Sequence, residues 1–553
     1  MKEIRVTDFG AVPDDGKDDT QAILAALEEC KRHASAVLVF PKGRYDVHAG
    51  SNLRNQWVLF PVSGTNGLTV DGKGSVLMVH GITGLFWFEK CNDLTLTNLV
   101  VDCARPPFSQ GKVLATGDNH FDVEVFSDYP VQGGEKVEAY MDYDAQTRLP
   151  MRHGLDEYHT VVRTELLRPQ VLRVYLNNAA RVKPGVLVVL RHQVYSYNAF
   201  VCARCQDVNV RDVTVYTIPG MAWVAQVCTN VTMQRFRVVP RPGSGRMMST
   251  TADATHFGGC KGTIRMTECL FEGMGDDGVN IKSGLYLSLL RKIDRHTVQA
   301  RHNLKMVDSP DPGDVMEISH VEDLLPYATA TVKRVELLED GVQRLEFESP
   351  LPADLREGDV FGNATRVPRV RISDCEVRNN RARGMLIQTR DAVMENCRFR
   401  GCTSAGILVL TEVAHFFESI GTRDVTVRGC TFEGVNYGAA MAPGALCAMA
   451  YLKDFAYPPK PGVHRHVTFE ANTIRQTDNS AIFIAGVDGI TLRNNHIELA
   501  CDSPTLDTGG YAIYVRSSRN VRLSGNRILP QRQGKGFREA MGWGEGVERA
   551  SPR

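Results

Sequence analysis

Three aspartates in the middle of the chain have the spacing of a carboxylate cluster. Asp253 lies in Ala-Asp-Ala-Thr-His-Phe, and Asp276 and Asp277 lie in Gly-Asp-Asp-Gly-Val-Asn-Ile. The offset from Asp253 to Asp277 is 24 residues (277 − 253), which is about one turn of a parallel β-solenoid. Asp277 should therefore lie directly above Asp253, with the neighbouring Asp276 side chain directed differently. Because stacked like charges cost free energy, such a cluster indicates a functional site.

Three carboxyl groups on one face suit glycoside hydrolysis without a covalent intermediate. One protonated carboxyl protonates the leaving oxygen, and a carboxylate about 6.5–9.5 Å away activates a water molecule. Mutual repulsion keeps one member of the group protonated near neutral pH. We expect Asp253 and Asp277 to hold the water between them and Asp276 to be the acid, because it faces another way.

A sequence repeat supplies the scaffold for this cluster. After Gly262 the chain repeats a Cys or Asn, any residue, and then an apolar residue, and a second apolar run follows in most turns. Stacked apolar residues fill a solenoid core, and stacked Asn side chains can hydrogen-bond along it. The pattern predicts an all-β parallel β-helix. The repeated positions are Cys269, Cys375, Cys397, Cys430, Asn472, Asn495 and Asn526.

The N-terminal segment resembles the cap of pectin-degrading enzymes and related right-handed parallel β-helix proteins. Val6-Thr7-Asp8-Phe9-Gly10-Ala11-Val12 precedes a helical stretch from about 21 to 32, and an apolar strand follows at 36–40. A helix there covers the open apolar end of the first solenoid turn. We expect a helical cap in this position.

Two segments interrupt the repeat, at about 110–190 and 285–361. Each is rich in strand-like runs, and we interpret each as a small antiparallel β module, barrel-like, inserted at a solenoid turn. Inserts on one face of a solenoid commonly wall its binding site. We therefore divide the chain into six regions: the cap and first turns (1–109), the first module (110–190), the turns that carry the aspartates (191–284), the second module (285–361), the C-terminal turns (362–530) and the tail (531–553).

Composition excludes several classes of function. Lys plus Arg (64) equals Asp plus Glu (64), so no global charge indicates nucleic acid or an anionic membrane as a partner. We find no run of about eighteen apolar residues and no signal-peptide pattern. The sequence as given fits a cytoplasmic protein, or a secreted or periplasmic one whose leader has been removed. The 14 cysteines show no pair of zinc-type CxxC motifs, and we expect small buried side chains.

The aspartate motifs resemble those of glycoside hydrolase family 110, the exo-acting α-1,3-galactosidases. The similar stretches are 253–257 (Asp-Ala-Thr-His-Phe), 276–280 (Asp-Asp-Gly-Val-Asn) and 383–387 (Arg-Gly-Met-Leu-Ile), and the likeness extends from about Val6 to Leu529. The resemblance implies a β-helix with β-barrel inserts. It also implies an inverting exo-glycosidase that removes terminal α-1,3-linked galactose from blood group B or linear glycans, with the three aspartates as catalytic residues and no cofactor.

Further side chains could contact the substrate. His256 and Asn280 occupy equivalent places in adjacent turns, where ladder packing is the alternative role. Arg383 lies one turn above Asp277 and could bind hydroxyl groups or a carboxylate. Trp223 and Trp87 are candidates for stacking on a sugar, although either could belong to the core. Three residues of a loop that leaves the solenoid complete the set of candidates: Glu412, His415 and Glu418.

Two other functions remain open at this point. A polygalacturonase-like hydrolase or lyase of uronate polymers would need a cluster of basic residues around the aspartates, or Ca²⁺ for a lyase. Lys282 and Arg383 are few for that purpose, and we expect no bound metal. A non-catalytic β-helix would not need clustered carboxylates. The expected partner is a galactose-terminated carbohydrate rather than nucleic acid or membrane, and the sequence leaves linkage preference and a homo-oligomer open.

Overall fold

The protein is a β-solenoid with two inserted antiparallel modules. The computed structural model describes residues 1–303, 308–438, 442–452 and 459–550. Successive turns pair in parallel along two sheets, one of 24 strands and one of 12 strands, which we call sheet 1 and sheet 2. The predicted all-β parallel β-helix with inserted antiparallel modules is therefore confirmed.

Sheet 1 forms most of the solenoid wall. Its strands are Lys2–Arg5, Ala36–Val39, Arg44–His48, Leu68–His80, Asn92–Cys103, Gln206–Arg211, Thr214–Val215, Thr229–Gln234, Arg237–Val238, Lys261–Thr267, Leu270–Glu272, Arg369–Ser373, Glu376–Arg378, Arg390–Glu395, Arg398–Arg400, Arg423–Arg428, Thr431–Val435, His464–Glu470, Thr473–Thr477, Val487–Arg493, His496–Glu498, Ser518–Ser524, Arg527–Ile528 and Val547–Arg549.

Sheet 2 carries the residues of greatest functional interest. Its strands are Val58–Ser63, Gly84–Glu89, Phe200–Ala203, Trp223–Gln226, Thr255–Gly258, Val279–Lys282, Met385–Gln388, Ile407–Glu412, Gly444–Tyr451, Ser480–Ala485, Tyr511–Arg516 and Glu539–Trp543. All of its pairings are parallel, so corresponding residues of successive turns form one row, in which neighbours lie about 4.8 Å apart.

A single α-helix in the described part of the chain, Thr20–Cys30, caps the N-terminal end. Ile23, Ala26 and Leu27 are buried on its inner face, which covers the first turn. The Asp18 carboxylate accepts hydrogen bonds from the main-chain N–H and the hydroxyl of Thr20, at 3.0 and 2.5 Å, and so satisfies a donor at the helix start. Three short 3₁₀ turns complete the described helices: Val6–Phe9, Glu339–Gly341 and Pro530–Arg532. Across the described ranges, we find no helix with the length and apolarity to cross a membrane.

The solenoid interior is one continuous apolar core that runs from the cap to the last turns. All 14 cysteines are buried and unpaired, in agreement with the prediction that they are small packing side chains. Asn side chains take the same place in the later turns. The Asn472 amide donates to Asn495 Oδ1 at 3.0 Å, and the Asn495 amide donates to Asn526 Oδ1 at 2.9 Å.

The two inserts leave the solenoid as antiparallel modules. The first is a seven-stranded sheet that is open, since its short strand Asp156–Tyr158 and the strand Val161–Arg168 lie at opposite ends of the strand order; the second closes into a six-stranded barrel. The remaining strands of the first module are Phe108–Thr116, His120–Val125, Ala139–Tyr143, Val171–Leu176 and Leu187–Arg191, and those of the barrel are Leu287–Lys292, Thr297–His302, Val315–Ser319, Pro326–Leu337, Val342–Phe347 and Val360–Asn363.

We expect Asn495→Ala to lower the free energy of unfolding by about 2–3 kcal/mol. The substitution leaves the buried Asn472 amide and the Phe469 carbonyl without their partners, and unmade buried hydrogen bonds cost about 1–3 kcal/mol each. Denaturant unfolding followed by circular dichroism measures the loss. The control is Asn209→Ala, which removes an exposed side-chain hydrogen bond to the Asp207 carbonyl in an ordinary strand and should change stability by less than about 0.5 kcal/mol. Equal stability of the two variants would contradict the ladder's proposed contribution.

Candidate active site

The strand register of sheet 2 brings the three aspartates together. Thr255 pairs with Val279, and the main-chain N–H of Ala254 donates to the Asp277 carbonyl at 2.9 Å. Asp277 therefore lies one turn above Asp253, as the 24-residue offset predicts. One carboxylate oxygen each of Asp253, Asp276 and Asp277 lies within 4.8 Å of the others, and all three residues are buried. The predicted convergence of the three carboxyl groups is confirmed.

Asp277 is held by the turn above it. The Arg383 main-chain N–H donates to Asp277 Oδ1 at 2.9 Å, and Arg383 Nη2 donates to Oδ2 at 2.7 Å. Burial raises the pKa of Asp277 to about 7, with help from the neighbouring carboxyl groups, although the Arg383 guanidinium opposes the shift. The Arg383 position that the sequence predicted thus contacts a carboxylate.

Asp276 is held by a second arginine and a tyrosine. Arg381 Nη1 donates to Asp276 Oδ1 at 2.8 Å, and the Tyr195 hydroxyl donates to Oδ2 at 2.5 Å. Burial works to raise the pKa of this carboxyl, but Arg381, Arg383 and the Tyr195 hydroxyl outweigh it, so the pKa of Asp276 lies below its usual range. In the free protein Asp276 is consequently ionised.

Asp253 shares a hydrogen bond of 2.8 Å with His256 Nδ1, and no arginine in the described ranges pairs with it directly. Burial and the charge of Asp276 raise the pKa of Asp253 well above its usual range. Burial and the neighbouring Lys282 lower the pKa of His256 to about 3, so the imidazole is neutral. The Asp253–His256 pair is therefore a neutral unit that holds the proton at this end of the cluster.

A buried ion pair closes the side of the site next to His256. Lys282 Nζ donates to Glu418 Oε1 at 2.8 Å. Burial works to raise the pKa of Glu418, but the Lys282 ammonium, with a further contribution from Arg383, lowers it below the usual range, so the carboxylate is ionised. Glu418 is one of the predicted contact residues, and the structure places it beside this cluster.

The first module contributes to the site from outside the solenoid. Tyr195 lies just after the module's last strand, and Asp156 lies on its short edge strand. The Asp156 carboxylate accepts from Arg381 and, at 2.7 Å, from the fully buried Arg191. Arg191 also donates to the main-chain carbonyl of Gly275, the residue before the Asp-Asp pair, at 3.0 Å. The module thereby fixes Arg381 and the loop that carries two of the three aspartates.

Two of the predicted contact residues have other roles. Trp223 has no exposed surface and packs against Phe200 and Phe236, so its predicted stacking on a sugar is wrong: the residue belongs to the core. Glu412 is also buried, and its carboxylate accepts main-chain N–H bonds from the loop 414–418. This side chain therefore shapes its own loop, and the contact of Glu412 with substrate stays a prediction.

The other predicted contact residues lie at or near the site. Asn280 is buried, with its amide 3.4 Å from Asp277 Oδ2. His415 is exposed in the loop beyond Glu412, with its ring 6.3 Å from that of Phe416, and its contact with substrate stays a prediction.

Sequence reasoning missed Arg381, Tyr195, Asp156 and Arg191. Arg381 could have been predicted from the sequence, since it lies two residues before Arg383 in the same turn. Two adjacent buried carboxylates, Asp276 and Asp277, each need a cation to remain ionised, and Arg383 can pair with only one of them directly. The other three belong to the non-repeating module or its junction, and no repeat relates their numbers to those of the aspartates.

Comparison with known proteins supports this description over most of the chain. Three family models match: rhamnogalacturonase A/epimerase, pectate lyase-like, at residues 4–82; right handed beta helix region at 359–454; and GLAA-B beta-barrel domain II at 305–361. The last match falls on the second module. The match to the right handed beta helix region also supports the prediction that the solenoid is right-handed.

Two relatives named alpha-1,3-galactosidase match the chain along nearly its whole length. The chain is 26% identical to alpha-1,3-galactosidase A of Bacteroides fragilis over 94% of this chain and 91% of the relative. It is also 26% identical to alpha-1,3-galactosidase B of Phocaeicola vulgatus over 95% of each chain. The structure of a family 28 exopolygalacturonase of Yersinia enterocolitica aligns with a TM-score of 0.45 and 11% identity, over 100% of this chain and 79% of that one. The chain is a homologue of the α-1,3-galactosidases, built on a right-handed parallel β-helix with an antiparallel barrel insert.

Proposed function

We propose that the protein is an exo-acting glycosidase that hydrolyses terminal α-1,3-linked galactose with inversion at the anomeric carbon. The observation that carries the proposal is the buried cluster of Asp253, Asp276 and Asp277, with oxygens within 4.8 Å, on a chain homologous to α-1,3-galactosidases. Clustered carboxyl groups of this kind supply both an acid and a base for glycoside cleavage.

The charges around the aspartates favour a neutral sugar over a uronate. Among the described residues, four cationic side chains lie in this region, and each is already paired with a carboxylate: Arg191 and Arg381 with Asp156, Arg381 also with Asp276, Arg383 with Asp277, and Lys282 with Glu418. A uronate carboxylate would need an uncommitted cation. The same arginine contacts disfavour Ca²⁺, since guanidinium groups already bind two of the three aspartates.

Two buried polar atoms at the site point to a hydroxylated ligand. Within the described residues, Asn280 Oδ1 and Arg383 Nε have no hydrogen-bond partner. An unpaired buried polar group costs about 1–3 kcal/mol, so a ligand that offers both a donor and an acceptor would be stabilised here. The hydroxyl groups of a sugar provide both. These atoms lie on side chains that already contact Asp277.

We assign the proton donor to Asp276 on geometry. The donor must reach the glycosidic oxygen at the mouth of the site, and the Asp276 side chain is 11% exposed, against 4% for Asp253 and 1% for Asp277. The two deeper carboxyl groups, in register across one turn, are then placed to hold the attacking water. Geometry takes precedence over resting protonation when an acid is assigned in a free enzyme.

The resting protonation differs from the sequence-based expectation. We expected Asp276 to carry the proton, but in the free protein the raised pKa values belong to Asp253 and Asp277, because Arg381 and Tyr195 keep Asp276 ionised. For Asp276 to act as the acid, bound sugar must raise its pKa. A sugar adds burial, and its hydroxyl groups compete for the Tyr195 and Arg381 contacts. The reverse assignment, with Asp277 as acid, is the alternative that these charges favour.

The short distance between the aspartate carboxylates favours a second mechanism for the same substrate, hydrolysis with retention. The nearest oxygens lie within 4.8 Å, which is closer to the roughly 5–5.5 Å of retaining enzymes than to the 6.5–9.5 Å of inverting ones. Against retention, the oxygens of Asp276 and Asp277 are engaged by arginine, tyrosine or main-chain donors, which weakens a carboxylate as a nucleophile. The register of Asp253 and Asp277 instead favours a shared water.

Leaving-group dependence tests the proton donor. We expect Asp276→Asn to lose about 10²–10⁴-fold in kcat/KM on an α-1,3-linked digalactoside, because a sugar alkoxide departs only when protonated. The loss should be much smaller on nitrophenyl α-galactoside, whose leaving group needs little acid. Asp253→Asn and Asp277→Asn should damage both substrates alike. If Asp277→Asn alone shows the selective loss, the assignment of Asp276 is wrong.

The anomeric form of the product tests inversion. We expect proton NMR of the first-formed sugar, recorded before mutarotation, to show β-galactose from an α-galactoside. A shared water attacks the face opposite the leaving group, which reverses the configuration. The first appearance of α-galactose would establish the retaining alternative and overturn the roles given to all three aspartates. A panel of nitrophenyl glycosides and a polygalacturonate serves as the control for substrate class.

Removal of the Tyr195 hydroxyl should shift the pH profile upward. Its hydrogen bond lowers the pKa of Asp276, so Tyr195→Phe should raise that pKa. An acid loses activity as the pH rises through its pKa, so the alkaline limb of kcat/KM should move to higher pH. Tyr175→Phe, which removes an exposed hydrogen bond to Glu165, is the control. An upward shift of the acid limb instead would identify Asp276 as a base.

A further inference from the structure

A large cleft lies on the same face as the aspartates, toward the N-terminal cap. Its volume is about 880 Å³, and it lies between the outer side of the cap helix, the loop 52–58 and the first strands of sheet 2. We call it the cap cleft. None of the three aspartates lines it. Its position is therefore separate from the site described above.

Three aromatic side chains dominate the walls of the cap cleft. Trp57 is 69% exposed and Trp87 is 40% exposed, which is unusual for the largest apolar side chain. The rings of Trp57 and Tyr197 stack at 5.8 Å with an interplanar angle of 20°. Polar side chains, among them Asn52 and Glu89, complete the lining. Open aromatic faces beside amide and carboxylate groups suit a sugar, which presents apolar ring faces and polar edges.

Strand register connects the cap cleft to the aspartates. Trp87 pairs with Val201, Val201 with Val224, and Val224 with His256. These residues form one outward row, and His256 binds Asp253. Val201 lines the cleft and lies two strands from His256 along this row, at about 10 Å. Trp87 lies three strands from His256, at about 14 Å. That span exceeds one sugar ring.

A short loop joins the two places directly. The Tyr195 hydroxyl binds Asp276, and the next three residues, Ser196, Tyr197 and Asn198, line the cap cleft. The Asn198 side chain accepts a hydrogen bond from the Met221 main chain at 2.8 Å, which fixes the loop on the solenoid. A chain bound at the aspartates and directed toward the cap would therefore pass along this loop.

We infer that the cap cleft binds the non-reacting sugar units of an oligosaccharide whose terminal galactose occupies the aspartate cluster. The inference rests on the proposed function in one respect: the glycan is taken to run from the aspartates toward the cap cleft. The expectation that the cleft binds sugar follows from the exposed aromatic faces of Trp57, Trp87 and Tyr197. The occupant is an uncharged oligosaccharide of several units. A short galactoside does not reach the cleft.

Substrates of two lengths test the inference. Kinetics are measured on a pentasaccharide that ends in α-1,3-galactose and on nitrophenyl α-galactoside. We expect Trp57→Ala and Trp87→Ala each to lower kcat/KM on the pentasaccharide by roughly three- to tenfold, through a higher KM, since each removes one aromatic face. Activity on the nitrophenyl substrate should stay within about twofold of wild type. Ile82→Ala, which truncates an exposed apolar side chain outside the cleft lining, just before the strand that carries Trp87, is the matched control.

Three results would overturn the inference. Unchanged kinetics on the pentasaccharide would exclude a sugar contact at the two tryptophans. An equal loss on both substrates would show that the tryptophans act only through the loop to Tyr195. A concentration-dependent dimer, detected by light scattering and abolished by Trp57→Ala without a change on the pentasaccharide, would assign the aromatic surface to a second copy of the chain.

Direct binding separates this inference from the proposed function. The probe is the tetrasaccharide that remains after the terminal galactose is removed, titrated into the wild-type protein by calorimetry. We expect binding that Trp57→Ala weakens by roughly three- to tenfold and Ile82→Ala leaves unchanged. If the protein hydrolyses no α-galactoside but binds this probe through Trp57, the proposed function fails and the cleft stands. If it hydrolyses α-galactosides but does not bind the probe, the cleft fails alone.

Discussion

The site depends on burying three carboxyl groups next to one another. Desolvation and mutual repulsion both oppose ionisation of Asp253, Asp276 and Asp277, and uncompensated charges in such a place would destabilise the fold. Two arginines of the next turn pair with Asp276 and Asp277. The pKa of Asp276 falls below its usual range, whereas burial still raises the pKa of Asp277 to about 7 and that of Asp253 well above its usual range. The cluster thus divides into charged and protonated members, the division that acid–base catalysis of glycoside cleavage uses.

The repeat made the solenoid and the register predictable, because parallel pairing places corresponding residues of each turn in one row. The same rule would have corrected the error at Trp223. Trp223 pairs with Thr255, one residue out of step with the outward row of Val224 and His256, and strand side chains alternate between faces. Trp87 lies in the row of His256, by way of Val201, and therefore faces outward. Alternation along the strand distinguishes the two tryptophans, whereas their residue type does not.

The parts of the site that could not be predicted come from the non-repeating insert. Tyr195 reaches Asp276, and Asp156 reaches Arg381, only because the first module folds back onto the solenoid, and no period relates their numbers to Asp276. The backward fold is fixed by long-range contacts such as the buried Arg191 with the Gly275 carbonyl. Arg381 is an intermediate case. Its own turn is periodic, but one of its two carboxylate partners, Asp156, lies on the first module and the other, Asp276, lies on the solenoid.

The division of labour between solenoid and insert has a consequence for specificity. The parallel register sets the distance between Asp253 and Asp277, and a change there would alter the reaction itself. The insert sets Tyr195 and the loop that leads to the cap cleft, which contact Asp276 on one side and form part of the cleft lining on the other. Substitutions in that loop can therefore change the length of glycan accepted while the stacked aspartates keep their geometry. Homologous chains with the same register but different inserts would then share a chemistry and differ in substrate.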